Sequence, residues 1–89
     1  MIDRGKIEKE LIDFFSTKEA LNQSGLFSDQ TNLIEAGLDS MILIELLLLI
    51  EEKYGFWIPE AYLTEEVFGN VKTLANSIAT LLHEKSNNS

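Results

Sequence analysis

Apolar residues recur at helical spacing in three stretches of the chain. In residues 3–21, 39–54 and 71–83 they lie three or four positions apart, which is the spacing that places side chains on one side of an α-helix. Asn70 is a candidate N-cap for the last stretch. No segment alternates between apolar and polar residues as a half-buried strand does. The pattern therefore predicts three longer helices and no sheet.

The residues around these stretches predict where the helices begin and end. Asp3 is a favourable N-cap for the first helix, and Gly55 is a favourable C-terminal stop for the second. Pro59 prevents the second helix from continuing. Residues 64–69 predict a short additional helix, because Thr64 can cap it and two glutamates follow in its first turn.

The segment between the first two long helices has the composition of a loop. Residues 22–37 are rich in Ser, Asn, Asp and Gly, which favour turns, and we expect Leu26 and Phe27 to anchor this segment to the core. The expected fold is all-α, a small four-helix bundle with three longer helices, one short helix and a long loop after the first helix. We expect one domain over residues 1–85 and a flexible polar tail at 86–89.

The second helical stretch is more apolar than a core face requires. At 3.6 residues per turn, one side carries a set sufficient for a core, namely Leu43, Leu46, Leu47, Ile50 and Tyr54. Roughly opposite lie Glu45, Glu52 and Lys53. Between them is a mostly apolar third side, the outer arc, formed by Ser40, Met41, Ile44, Leu48 and Glu51. A domain this small cannot easily bury a whole helix, so the outer arc predicts a contact surface. Ile42 and Leu49 fit neither surface.

Composition and charge narrow the classes of function. The chain of 89 residues has 15 Asp and Glu against 7 Lys and Arg, a formal net charge of −8. This charge disfavours nucleic acids and predicts partner proteins with basic surfaces. The absence of cysteine excludes disulfides and thiolate metal sites. The apolar run at residues 41–50 is too short for a membrane span, and no metal site is expected.

Ser40 stands at the start of the apolar second helix, directly after Asp39. Serine is a common N-cap, so Ser40 could have a purely structural role. Alternatively, its hydroxyl could accept a phosphate-linked group at the positive end of the helix, with Asp39 holding a divalent metal during the transfer. A catalytic nucleophile is disfavoured, because it would need a base and the only histidine, His83, lies in the last predicted helix.

The residues from Leu33 to about Leu82 resemble an acyl carrier protein. The resemblance rests on "GLDSM" at 37–41, "IEL" at 44–46, "IEEKYG" at 50–55 and "IP" at 58–59, followed by Phe68, Val71 and Leu74. In that family the serine after the aspartate carries phosphopantetheine. The resemblance therefore implies that Ser40 is the attachment site and that Asp39 assists magnesium binding while the group is attached. It also implies a partner-binding surface on the same helix, made of Met41, Ile44, Glu45, Leu48, Glu51 and Glu52.

Two positions depart from the family pattern. Met41 stands where leucine is usual after the serine, and methionine is similarly apolar and flexible, so attachment is expected to survive. D-alanyl carrier proteins can also have methionine there. Trp57 is less usual, and we expect it to act as an aromatic plug between helices.

The resemblance implies a monomeric cytoplasmic carrier without catalytic activity of its own. It would hold acyl intermediates as thioesters and present them to enzymes of polyketide or fatty acid biosynthesis. The implied partners are a phosphopantetheinyl transferase and acyltransferase, ketosynthase-type or acyl-loading enzymes with basic surfaces. The sequence also permits two alternatives: an aminoacyl or D-alanyl carrier, and an unmodified acidic helical interaction domain in which Ser40 is only a cap.

Overall fold

A computed structural model describes residues 3–22 and 27–87 of the chain. Four α-helices follow one another in this part, and they are α1 (Arg4–Ser16), α2 (Leu33–Ala36), α3 (Ser40–Tyr54) and α4 (Val71–Asn87). Two short 3-10 segments lie at Glu19–Asn22 and Glu60–Tyr62, and the described residues contain no strand. The predicted all-α class, with three longer helices and one short helix, is confirmed. None of the described helices is both long and apolar enough to cross a bilayer.

Helix α1 begins as predicted but ends earlier. The Asp3 carboxylate accepts a hydrogen bond from the Lys6 backbone N–H at 3.2 Å, which confirms the N-cap. The helix ends at Ser16 rather than near residue 21, because the Ser16 and Thr17 hydroxyls donate to backbone carbonyls three residues earlier. The Asn22 amide then donates to two more carbonyls near this end, and a 3-10 turn replaces the last predicted turn of helix.

The short helix forms in a different place from the one predicted. Helix α2 lies inside the expected loop, where the Asn32 side chain accepts from the Glu35 N–H at 2.9 Å and Gly37 ends the helix with a φ of 123°. Residues 64–69 form turns instead. Thr64 caps one turn there. The Val67 carbonyl then accepts from the Thr73 hydroxyl, and the backbone hydrogen bonds of a helix do not continue.

Helix α4 is longer than predicted. Asn70 caps it as expected, since its side chain accepts from the Thr73 N–H at 2.9 Å. The helix continues past His83 to Asn87, so it includes the first half of the expected tail, whereas residues 88–89 lie outside the described part. The Lys85 ammonium donates to the carbonyls of Tyr54 and Gly55 at 3.1 and 3.0 Å. This contact ties the added turn of α4 to the end of α3.

The core receives side chains from all four helices. The largest fully buried side chains are Phe15, Leu33, Leu46, Ile50, Ile58, Val71, Leu74 and Ile78. On α3 the buried positions are Ile42, Leu46, Leu47 and Ile50, while Leu43 and Tyr54 are only partly buried. The core face of α3 is therefore rotated toward Ile42, and Leu49 packs against the core from the same side. This accounts for the two apolar residues that the helical wheel left unexplained.

Two predictions about single residues in the connecting segments have different outcomes. Phe27 packs against Phe15 with a ring separation of 6.0 Å, which confirms its anchoring role, whereas Leu26 lies outside the described residues. Trp57 is 49% exposed, so the expectation of an aromatic plug is wrong.

The core predicts that replacing two leucines of α3 lowers the stability of the protein by unequal amounts. Leu46 is fully buried and Leu48 is 53% exposed. We expect Leu46→Ala to lower the free energy of unfolding by about 2–5 kcal/mol, since it leaves a cavity. We expect Leu48→Ala to change it by less than about 0.5 kcal/mol. Chemical denaturation followed by circular dichroism measures both values, and equal losses would contradict the observed orientation of α3.

A polar contact between α1 and α3 predicts a pH dependence. The Tyr54 hydroxyl donates to the Glu10 carboxylate at 2.8 Å, and burial followed by this carboxylate raises the pKa of Tyr54. A raised pKa favours the protonated phenol in the folded state, so the stabilisation is complete below the unfolded pKa of about 10 and is lost above it. In denaturation at a series of pH values, the free energy of unfolding should fall more steeply above about pH 10 in the wild type than in Tyr54→Phe. Parallel curves would refute this coupling.

Candidate functional site

The N-terminus of α3 is capped by Asp39, and Ser40 is the first residue of the helix. The Asp39 backbone is extended, and its Oδ1 accepts from the Ile42 N–H at 2.9 Å. The Asp39 carbonyl also accepts from the Leu43 N–H at 2.9 Å. The alternative in which Ser40 serves only as the N-cap is therefore wrong, because Asp39 holds the N-cap position.

The Ser40 hydroxyl lies at an open helix end. Ser40 is exposed, and its hydroxyl makes no hydrogen bond to another described residue. The backbone N–H groups of Ser40 and Met41 precede the first intrahelical bonds and have no acceptor within the helix. Free N–H groups and the positive end of a 15-residue helix favour a negatively charged group at this hydroxyl. A phosphodiester on Ser40 would be stabilised there.

The segment before Asp39 is held in place by a contact with the turn that precedes α4. Leu33 is fully buried, and its N–H donates to the Gly69 carbonyl at 3.0 Å. Gly37 turns the chain at a φ that residues with a side chain rarely adopt. The Leu38 N–H donates back to the Leu33 carbonyl at 2.9 Å. These contacts hold Asp39 and Ser40 on an anchored turn.

The outer arc is exposed along its whole length. The exposed fractions are 71% for Met41, 55% for Ile44 and 53% for Leu48, and Ser40 and Glu51 are exposed as well. The helical wheel placed these residues correctly outside the core. The structure thus brings the hydroxyl of Ser40 and three exposed apolar side chains onto one side of one helix.

The acids of α3 do not share one environment. Glu51 and Glu52 are exposed, and no described cation pairs with either of them. Glu45 is half-buried and forms an ion pair with Lys18, from the segment that follows α1. Of the three acids predicted to meet partners, Glu45 is thus the one that pairs with a cation in the part of the chain that the structure describes.

An apolar groove beside Ser40 was not predicted from the sequence. Its volume is about 300 Å³, and its lining is Ile34, Leu38, Asp39, Ser40, Leu43, Leu63, Thr64, Glu65 and Phe68. Ile34 and Leu63 are 41% and 37% exposed. Apolar residues inside a polar loop were the available signal, but only the fold shows that residues from two distant segments line one groove.

The surroundings of Asp39 fit a magnesium ion only when it is shared with a phosphate-bearing substrate. Among the described residues no three His, Cys, Asp or Glu side chains are grouped as metal ligands. Mg²⁺ commonly binds through one or two carboxylates plus substrate phosphates and water. Asp39 uses Oδ1 as the cap acceptor, which leaves Oδ2 for such a shared ion.

The site also fits a covalent phosphopantetheine group on Ser40. The hydroxyl is exposed, the helix end favours the phosphate, and an open groove adjoins the hydroxyl. No rearrangement of the described core is needed to reach the hydroxyl, because Ser40 lies outside it.

Two comparisons with known proteins agree with this geometry. The family model described as "Phosphopantetheine attachment site" matches residues 9–82. Aminoacyl carrier protein 1 of Bradyrhizobium diazoefficiens is 37% identical over an alignment of 68 residues, and the alignment covers 73% of this chain and 76% of that protein. The family's prosthetic group is a phosphopantetheine held covalently on a serine. The chain therefore belongs to the family of phosphopantetheine-binding carrier proteins.

Proposed function

We propose that Ser40 carries the phosphopantetheine group and that the protein is an acyl carrier. The observation that carries this proposal is the exposed Ser40 hydroxyl at an N-terminus that Asp39 caps. In the attachment step the Ser40 oxygen bonds to the pantetheine-side phosphorus of coenzyme A. The phosphoanhydride bond breaks, adenosine 3′,5′-bisphosphate leaves, and the hydroxyl proton passes to a base of the transferase. When bound, the group supplies a thiol that holds a carboxylic acid as a thioester.

Asp39 has two functions in this proposal. Its Oδ1 fixes the start of α3 and so the position of the hydroxyl. Its second oxygen would hold a magnesium ion shared with the phosphates of coenzyme A, and such an ion would supply positive charge near the leaving phosphate. One side chain would thereby position both the nucleophile and the metal.

The outer arc is the surface that partner enzymes contact. Met41, Ile44 and Leu48 supply a small apolar area, and Glu51 and Glu52 lie beside it. A net charge of −8 attracts enzymes with basic surfaces and speeds their encounter, whereas a small apolar contact lets them dissociate quickly. The transferase contacts this surface first, followed by acyl-loading, acyltransferase or ketosynthase-type enzymes.

The chain itself has no catalytic function in this proposal. Its partners perform the chemistry, and the fold displays the arm and is recognised. We assign this role to residues 1–85 of a monomeric cytoplasmic protein.

Two classes of cargo have support. The apolar groove beside Ser40 favours acyl chains such as those of polyketide or fatty acid biosynthesis. The similarity to an aminoacyl carrier protein favours an aminoacyl group instead. Loading the modified protein with acyl and aminoacyl donors, each with its own loading enzyme, separates the two classes by the mass of the product.

The attachment site predicts that the protein gains the mass of a covalently bound group and that this gain depends on the Ser40 hydroxyl. Incubation with coenzyme A, magnesium and a broad-specificity transferase should add the mass of one phosphopantetheine to the wild type. Ser40→Ala should gain nothing, because it lacks the accepting oxygen. Ser28→Ala is the matched control, since it removes another exposed serine and should be modified normally. Intact-protein mass spectrometry measures the gain, and modification of Ser40→Ala would overturn the assignment.

The two functions of Asp39 predict different results for two substitutions. Asparagine can cap a helix as well as aspartate, whereas alanine costs about 1 kcal/mol of stability at an N-cap. Asp39→Asn should therefore unfold like the wild type but accept phosphopantetheine at least about tenfold more slowly, because it lacks the charge that binds magnesium. Asp39→Ala should lose both properties. Thermal unfolding and loading rates at several magnesium concentrations test this, and a normal rate for Asp39→Asn would exclude the metal function.

A further inference from the structure

The ion pair between Lys18 and Glu45 crosses from the segment after α1 to the partner-facing helix α3. The two residues are 27 positions apart in sequence, so the pair is a tertiary contact rather than a helical one. The Lys18 side chain is 20% exposed and the Glu45 side chain 43% exposed. The carboxylate of Glu45 is thus partly open to solvent while its charge is already balanced.

Lys18 is held in this position by a second contact. Its ammonium lies 4.8 Å from the centre of the Phe14 ring, within the range of a cation–π interaction. An exposed lysine would gain little from a single carboxylate, but here an aromatic face and an acid bind the same ammonium. Lys18 bonds to Oε2 of Glu45 and balances the charge of the carboxylate, so a basic residue of another protein that approaches the remaining oxygen gains less attraction and meets the positive charge of Lys18.

Glu45 lies close to the position that a loading enzyme must reach. It follows Ser40 by five residues, which is about 7.5 Å along the axis of a helix. Met41 and Leu48 lie one turn away on either side of it. An enzyme that covers Ser40 and the apolar part of the outer arc therefore approaches Glu45 as well.

We propose that Lys18 is a specificity-determining residue, because it withholds Glu45 from the basic surface of the transferase that loads Ser40. This inference rests on the proposed function and adds to it that the acids of α3 differ in availability. Glu51, which has no cation among the described residues, is open to a partner, whereas Glu45 pairs fully only when Lys18 is removed. A transferase suited to this carrier is then one whose basic residues meet the C-terminal half of α3.

A double-mutant cycle on loading kinetics tests the proposal. The four proteins are the wild type, Lys18→Met, Glu45→Gln and the double variant, and the readouts are KM and kcat for the carrier with coenzyme A and magnesium. Each substitution changes the net charge equally in both backgrounds, so long-range steering cancels from the cycle. We expect Lys18→Met to lower KM, and Glu45→Gln to raise KM at least about threefold more in the Lys18→Met background than in the wild type. The effect should shrink at high salt, and kcat should stay unchanged.

The pair Lys9 and Asp13 supplies a matched control. Its atoms are 3.2 Å apart on the exposed surface of α1, and Lys9→Met with Asp13→Asn makes the same charge changes. That cycle should show no coupling in KM. Lys18→Arg should keep the wild-type KM because it keeps the cation. If circular dichroism shows that Lys18→Met is unfolded, Lys18→Gln takes its place in the cycle.

Two outcomes overturn the inference in distinguishable ways. Equal effects of Glu45→Gln in both backgrounds, in a wild type that is loaded normally, would show that the pair only fastens the segment after α1 to α3. In that case the carrier function stands and the inference fails. A wild type that several active transferases leave unmodified would overturn both.

Discussion

The hydrogen bond from the Ile42 N–H to the Asp39 carboxylate decides how the site of this carrier is built. It begins α3 at Ser40 and leaves the serine hydroxyl outside the capping network. With a serine at the cap itself, the hydroxyl would be occupied by a backbone N–H. The aspartate thus serves local folding in a way that keeps its neighbour available for a covalent group.

The division of α3 into two faces follows from the same geometry. Its inner face contributes Ile42, Leu46, Leu47 and Ile50 to the core. The outer arc keeps Met41, Ile44 and Leu48 exposed, although burying them would stabilise so small a domain. Apolar side chains that contribute little to the fold suit a surface that binds briefly to many partners.

The electrostatic surface of α3 is less uniform than the net charge implies. A cation from another segment lies against Glu45, and an aromatic ring helps to hold it there. Acids at similar positions in the sequence thus differ in what they offer a partner, because neighbouring segments differ in what they place beside each acid. Net charge governs encounter at long range, whereas such pairs govern contact.

The sequence by itself determined the features that depend on neighbouring residues. The caps at Asp3, Asn70 and Gly55 were predicted because each acts within one helical turn, and the exposed outer arc follows from helical periodicity. The family motif around Ser40 is equally local. These signals sufficed for the all-α class and for the candidate attachment residue.

Only the tertiary structure decided the features that join distant segments. The rotation of α3 toward Ile42, the groove beside Ser40 and the pairing of Lys18 with Glu45 depend on where separate elements pack. The early end of α1, the extension of α4 held by Lys85 and the formation of α2 depend on competition between local hydrogen bonds and tertiary contacts. Helical periodicity gives the direction of each side chain around the helix axis, but it contains no information about which other segment packs against that side chain.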